Sequence, residues 1–245
     1  RNVEALHYFM NNGGRFAVAT GRALPAFRMF ADQVPMNAPA VVCNGAALYD
    51  FQAETYLETM ELPEAVRVQG QAVLDRFPAA AVEAYHLDNV IHAVRPNALT
   101  RQHQHVTHAG VETVDSLLEV PMPLVKIMFE DEPQSLRSLW DYVRQQPWAA
   151  DYEIFFSDRS LLEVTRKGAS KGAMVARLAE RLGISREHIY CAGDENNDLS
   201  MLTMAAQGFA PANCVENVKN CGAAIVADCD HDTLAEIVAI LDKRY

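Results

Sequence analysis

Apolar residues along this chain switch between helical and strand-like spacing, and the switches mark its elements. Val3, Leu6, Phe9 and Met10 recur at helical spacing, and Gly13-Gly14 supplies a stop. The apolar run Phe16 to Ala19 then predicts a strand. In ALPAFRMFADQV, residues 23 to 34, Pro25 stands near a helix start with Phe27, Phe30 and Ala31 on one face. PAVVC, residues 39 to 43, reads as a short strand closed by the turn pair Asn44-Gly45. Apolar runs without alternation suggest strands covered on both faces. The same rhythm returns late, with strands expected near 188 to 192, 207 to 210 and 223 to 226. Helices are expected near 171 to 183, 196 to 206 and 231 to 242. Such repetition predicts an α/β fold with a Rossmann-like parallel sheet core flanked by helices.

Between these stretches the texture changes. Short strands such as AAAVEAY and VIHAV, the strand LVKIMFE, and helices after Pro63 and Pro133 read as a separate α+β unit inserted into the first. The expected division is 1–60 and 158–245 for the core and 61–157 for the insert, with junctions near 58 to 63 and 157 to 160. Internal repeats and low-complexity segments are not evident.

Composition narrows the function classes. Half of the 245 residues are apolar, enough for a sizeable core. The formal net charge is -11 and no Lys or Arg run forms a phosphate-backbone track, which argues against nucleic acid as a partner. No apolar run approaches the ~20 residues of a membrane span, and the first ten residues do not read as a signal peptide. Cys43, Cys191, Cys214, Cys221 and Cys229 form no CxxC pair, so a reducing cytoplasm is the expected compartment.

In an open α/β sheet, ligands sit beyond the carboxyl ends of the strands. That rule selects four loops. Thr20, Gly21 and Arg22 follow the first strand, where a hydroxyl and backbone N–H groups suit an anion. Asn44-Gly45 follows the second. GASKG opens a helix at Ser170 with Lys171 in its first turn, where the helix dipole disfavours a cation unless an anionic partner is near. GDENNDLSML, residues 193 to 202, crowds Asp194, Glu195, Asn196, Asn197 and Asp198 onto one turn, and its carboxylates suit a hard cation such as Mg²⁺. Together these groups would neutralise a phosphoryl group.

FAVATGR, VVCNGA, GASKG and GDENNDLSML, in that order and with a mixed insert between the second and third, resemble the haloacid dehalogenase superfamily in its Cof-type phosphatase branch. The likeness spans residues 1 to 59 and 160 to 245; the insert matches the branch's cap by place and size. The resemblance implies a phosphoryl-binding hydroxyl at Thr20 and a bridging cation at Lys171. It implies Mg²⁺ ligation by Asp194, with support from Asp198 and its polar neighbour Asn197. Gly21, Arg22, Asn44, Gly45 and Asn197 would face the substrate. It further implies a Mg²⁺-dependent hydrolase of a small phosphorylated metabolite, a sugar phosphate or phosphorylated cofactor, acting as a monomer or weak homo-oligomer.

One departure stands against this. The family's nucleophile and general acid are two aspartates of a DxDGT-like motif on a strand before the chain's first helix. Such a segment, on the order of 15 to 25 residues, is absent here, and without the nucleophile no phospho-enzyme forms. Asp228, Asp230 and Asp232 resemble the motif superficially but lack its glycine; Asp232 and Thr233 read as helix-start residues. Two alternatives stay open: a non-catalytic relative that binds phosphate compounds or a partner, and a phosphotransferase or phosphomutase of the same fold. Of the insert's histidines, His86, His92, His103, His105 and His108, the pair His103 and His105 lie two apart on an expected helix and point to different sides, which favours a solvated or substrate-facing role over a zinc site.

Overall fold

A computed structural model describes residues 1–87, 90–107 and 110–244. His108 lies outside the described residues. In chain order, α1 (Asn2–Asn11) and α2 (Leu24–Ala31) precede β1 (Ala40–Val42), β2 (Ala47–Asp50) and β3 (Thr55–Thr59). Next come α3 (Val66–Arg76), β4 (Ala81–Tyr85), β5 (Ile91–Val94), α4 (Ala98–Thr107), β6 (Val111–Val114), β7 (Lys126–Glu130), α5 (Pro133–Val143), β8 (Tyr152–Asp158) and β9 (Leu161–Arg166). The chain closes with α6 (Lys171–Arg181), β10 (Tyr190–Ala192), α7 (Leu199–Met204), β11 (Gln207–Pro211), α8 (Glu216–Lys219), β12 (Ala224–Val226) and α9 (Thr233–Asp242).

Two compact units result. The first comprises Arg1–Thr20, Arg28–Glu58 and Ser170–Tyr245, and the second Gly21–Phe27 and Thr59–Ala169. The later junction therefore lies at Ala169/Ser170 and not at 157 to 160. The reason is β9, which pairs with β7 on one side and β8 on the other and so cannot leave the second unit's sheet.

The first unit is α/β. β10, β11 and β12 are parallel neighbours, each reached through a helix. β1 pairs antiparallel with β2 through a one-turn 3₁₀ segment, Cys43–Gly45, making the sheet system mixed rather than purely parallel. The strand expected at Phe16 to Ala19 is reduced to one parallel bridge, Ala19 to Val41. Thr20 N donates to Val41 O at 2.9 Å and Val41 N to Val18 O at 2.9 Å, so only one edge of this segment has a ladder partner in these bonds. β10 is likewise at the edge of its sheet. A cavity of about 330 Å³ opens here, lined among others by Phe16, Val18, Leu178, Tyr190, Ala192 and Ile237.

The second unit is α+β. Its six strands run in the order β6-β5-β4-β7-β9-β8, antiparallel except for β5 and β6. Alternation along the strands gives the sheet two unlike faces. Val82, Ala84, Ile127, Phe129, Leu162 and Val164 join the apolar core with α3 and α5, whose Val73, Leu74, Leu136 and Leu139 are fully buried. The other face carries Glu83, Tyr85, Lys126, Glu130, Glu163 and Thr165, all buried despite their polarity. Lys126 Nζ answers part of this charge, 3.2 Å from Glu163 Oε2 and 4.3 Å from the Tyr85 ring centre.

Candidate functional site

Sequence dictates the loop ends of the first unit through two close backbone approaches. Gly45 has φ +94°, and a Cβ there would lie 2.1 Å from Ser170 O; Gly172 would place one 2.2 Å from Ser200 O. Only glycine permits both contacts. They draw the Asn44 turn, the start of α6 and the first turn of α7 together.

α6 begins where Ser170 Oγ accepts from Ala173 N at 3.2 Å, and it buries Met174 and Leu178 on one face. Lys171 is thereby fixed in the first turn, 6% exposed. Its anionic partner is Asp198, 3% exposed, with Nζ to Oδ1 at 2.5 Å. Asp198 Oδ2 accepts from the backbone N–H of Asp194 at 3.0 Å and of Glu195 at 3.1 Å. Both Asp198 oxygens are thus engaged within the protein, which makes this carboxylate a brace for the turn. Asp194 differs: its side chain is exposed and takes part in none of these bonds.

Asn44 adopts a left-handed backbone, φ 55°, which its short polar side chain tolerates. Its Oδ1 accepts from Asn197 Nδ2 at 2.9 Å, and its backbone N donates to Thr20 O at 3.0 Å. Asn197 Oδ1 is buried with no hydrogen-bond donor. Thr20, Asn44, Gly45, Lys171, Asp194, Asn197 and Asp198 are therefore joined within one unit. Gly21 and Arg22 count with the second unit, where Gly21 O accepts from Lys126 Nζ at 3.5 Å. Asp228 bonds to His231 Nδ1 at 2.5 Å, and Asp232 stands at the N-cap of α9 without a capping bond from its side chain.

Asp194 presents an exposed carboxylate, an oxygen ligand of the kind a hard divalent cation takes. Close by, burial and then the Asp198 carboxylate push the Cys191 thiol up to about 12.

Sequence reasoning missed one cluster, in the second unit. His103 Nδ1, on α4, stands 3.1 Å from Glu83 Oε2 and 3.3 Å from Glu130 Oε1. Burial alone would lower the His103 pKa, but Glu130 and Glu83 outweigh it and raise it to about 9. Glu83 is held below the usual carboxylate range because bonds from His103, Tyr85 and Gln104 overcome a burial effect of opposite sign. The signal was present in AVEAY and KIMFE, where Glu83 and Glu130 each interrupt a mainly apolar strand.

A Rossmann-like core with an inserted α+β unit and this gathering of loops defines the class of the protein. The family model for haloacid dehalogenase-like hydrolases matches residues 1–238, and the chain belongs to that family. It is 25% identical over 248 residues to pyridoxal phosphate phosphatase YbhA of Escherichia coli (strain K12), covering 97% of this chain and 89% of that one. It is 25% identical over 244 residues to 5-amino-6-(5-phospho-D-ribitylamino)uracil phosphatase YitU of Bacillus subtilis (strain 168), covering 96% and 88%. In fold it is similar to a haloacid dehalogenase-like hydrolase from Bacteroides thetaiotaomicron, with a TM-score of 0.82, 21% identity, and 97% and 90% coverage. Among the described residues no helix is long and apolar enough to cross a membrane.

Proposed function

We propose that the full-length protein is a Mg²⁺-dependent phosphatase of a small phosphomonoester, a sugar phosphate or a phosphorylated cofactor. The observation that carries this reading is the buried Lys171–Asp198 pair, locked at 2.5 Å, with Asp198 accepting from the backbone N–H of Asp194, whose side chain is exposed. Lys171 stabilises the charge of a phosphoryl oxygen and of the attacking carboxylate. Thr20 supplies a hydroxyl donor to a second oxygen. Asn44 and Asn197 orient the loops. Asp194 would hold Mg²⁺ and Asp198 would keep Asp194 in place through its backbone bond. When bound, the ion neutralises phosphoryl charge.

The nucleophile in this reading is an aspartate upstream of Arg1, on a strand seated in the cavity between residues 16–19 and β10. The edge position of β10 and the apolar lining of that cavity support it. Its carboxylate forms a bond to phosphorus as the ester P–O bond breaks, a second aspartate protonates the leaving oxygen, and water then releases phosphate.

The test is phosphate release, with Mg²⁺, by the full-length protein and by residues 1–245 alone, over a panel of sugar phosphates and phosphorylated cofactors including pyridoxal phosphate. Turnover by the full-length protein only is the expected result. No turnover by either, with phosphate-compound binding retained, would replace the reading with a non-catalytic one. Transfer to a sugar phosphate in preference to water would make the protein a phosphotransferase.

A further inference from the structure

We propose that Glu83, His103 and Glu130 form a site for one divalent transition-metal ion of the Zn²⁺ class, pinning α4 to the six-stranded sheet. The three side chains come from β4, α4 and the end of β7, and one ligand atom from each lies within 4.8 Å of the other two. Glu83 and Glu130 are 1% and 0% exposed.

Charge and hydrogen bonding argue for a cation beyond His103. Two carboxylates buried together need compensation, because an unpaired buried charge is costly. Glu83 has its donors: Tyr85 Oη at 2.6 Å and His103 Nδ1 at 3.1 Å on Oε2, and Gln104 Nε2 at 3.0 Å on Oε1. Glu130 is served less well: His103 Nδ1 stands 3.3 Å from its Oε1 as an ion-pair partner but directs its hydrogen to Glu83, and among the described residues neither buried Glu130 oxygen accepts a hydrogen bond. An ion among the three would accept Glu130 through both oxygens, Glu83 through Oε2 and His103 through Nδ1, a four-donor set of the kind zinc takes. It would replace the Nδ1 proton, which leaves to solvent. Tyr85 and Gln104 already hold Glu83 in the orientation ligation requires.

Imidazole with carboxylates favours a borderline ion over Mg²⁺, which prefers oxygen alone. The site is therefore separable from the loops around Asp194. The full-length protein, stripped of metal and held in excess Mg²⁺, is titrated with Zn²⁺ by calorimetry, and Co²⁺ replaces Zn²⁺ for absorption spectra. The expected result is one Mg²⁺-resistant Zn²⁺ per chain, a visible Co²⁺ band, and slower hydrogen exchange in residues 98–107 with Zn²⁺. His103→Ala and Glu130→Gln are each expected to weaken binding by at least about a hundredfold, and Gln104→Ala by about tenfold. Should one variant fail to fold, the exchange measurement on the unaltered protein still decides. The proposal is overturned if folded protein retains no Zn²⁺ in excess Mg²⁺, or if retention is unchanged in the variants, or if exchange in 98–107 does not respond.

Discussion

Lys171 and Asp198, 27 residues apart in sequence, form a buried ion pair 2.5 Å long that ties the start of α6 to the turn before α7. Removing the lysine alone leaves the carboxylate buried with only its two backbone donors. Lys171→Met is therefore expected to lower stability by about 3–5 kcal/mol, read as a shift of the urea midpoint at constant slope. The double change Lys171→Met with Asp198→Leu should recover much of that loss. Equal stability of the single variant and the parent would contradict the burial described.

Asp194→Asn separates function from fold. The side chain is exposed and braces nothing, so stability should change by no more than about 0.5 kcal/mol. Mg²⁺-dependent phosphate release by the full-length protein should fall by more than about a hundredfold. Near-normal turnover would remove Asp194 from the proposed site.

The glycines at the loop contacts allow a comparison by chemical denaturation. Gly45→Ala and Gly172→Ala each drive a Cβ into backbone and should cost about 1–3 kcal/mol or more. Gly110→Ala meets nothing within 4 Å and should be close to neutral. Three equal midpoints would mean the loops are not packed as closely as the two approaches require.

Thiol labelling at pH 8 should follow burial. Cys229 is exposed and should react first, while Cys43, Cys191 and Cys214 are buried. With its thiol pushed up to about 12, Cys191 has on the order of one thiolate in ten thousand at that pH. Fast modification of Cys191 in folded protein, read by peptide mass, would show that β10 opens.

The order of elements in the first unit was legible because each turn carries its own local signal: Asn44-Gly45 for the β1–β2 reversal, Ser170 for the start of α6. Lys171 was legible too, since a cation in a first helical turn is anomalous in one sequence. The identity of its partner was not, because Asp198 is brought there by the Gly172 contact, a tertiary event. Phe16 to Ala19 failed as a strand for the same kind of reason: a strand needs ladder partners, and composition does not count them. The second junction was misjudged because β9, LLEVTR, declares its membership only by pairing with β7 and β8. In the insert, weighing His103 against His105 overlooked Glu83 and Glu130, which approach from strands.

Residues 1–245 on their own should be poorly stable or prone to aggregate, since β10 lies at a sheet edge beside an apolar cavity. A cooperative melt at about 45–65 °C, ordinary for a domain, would speak against this.

In the proposed reading, that edge also makes the chain a receptor. A strand bound there need not be covalently continuous with Arg1, because backbone pairing with Ala19, whose neighbours Val18 and Thr20 already face Val41, and with β10 is indifferent to how the strand arrives. In the proposed reading, a synthetic peptide carrying that strand and offered in trans would restore turnover, and its concentration would set the output.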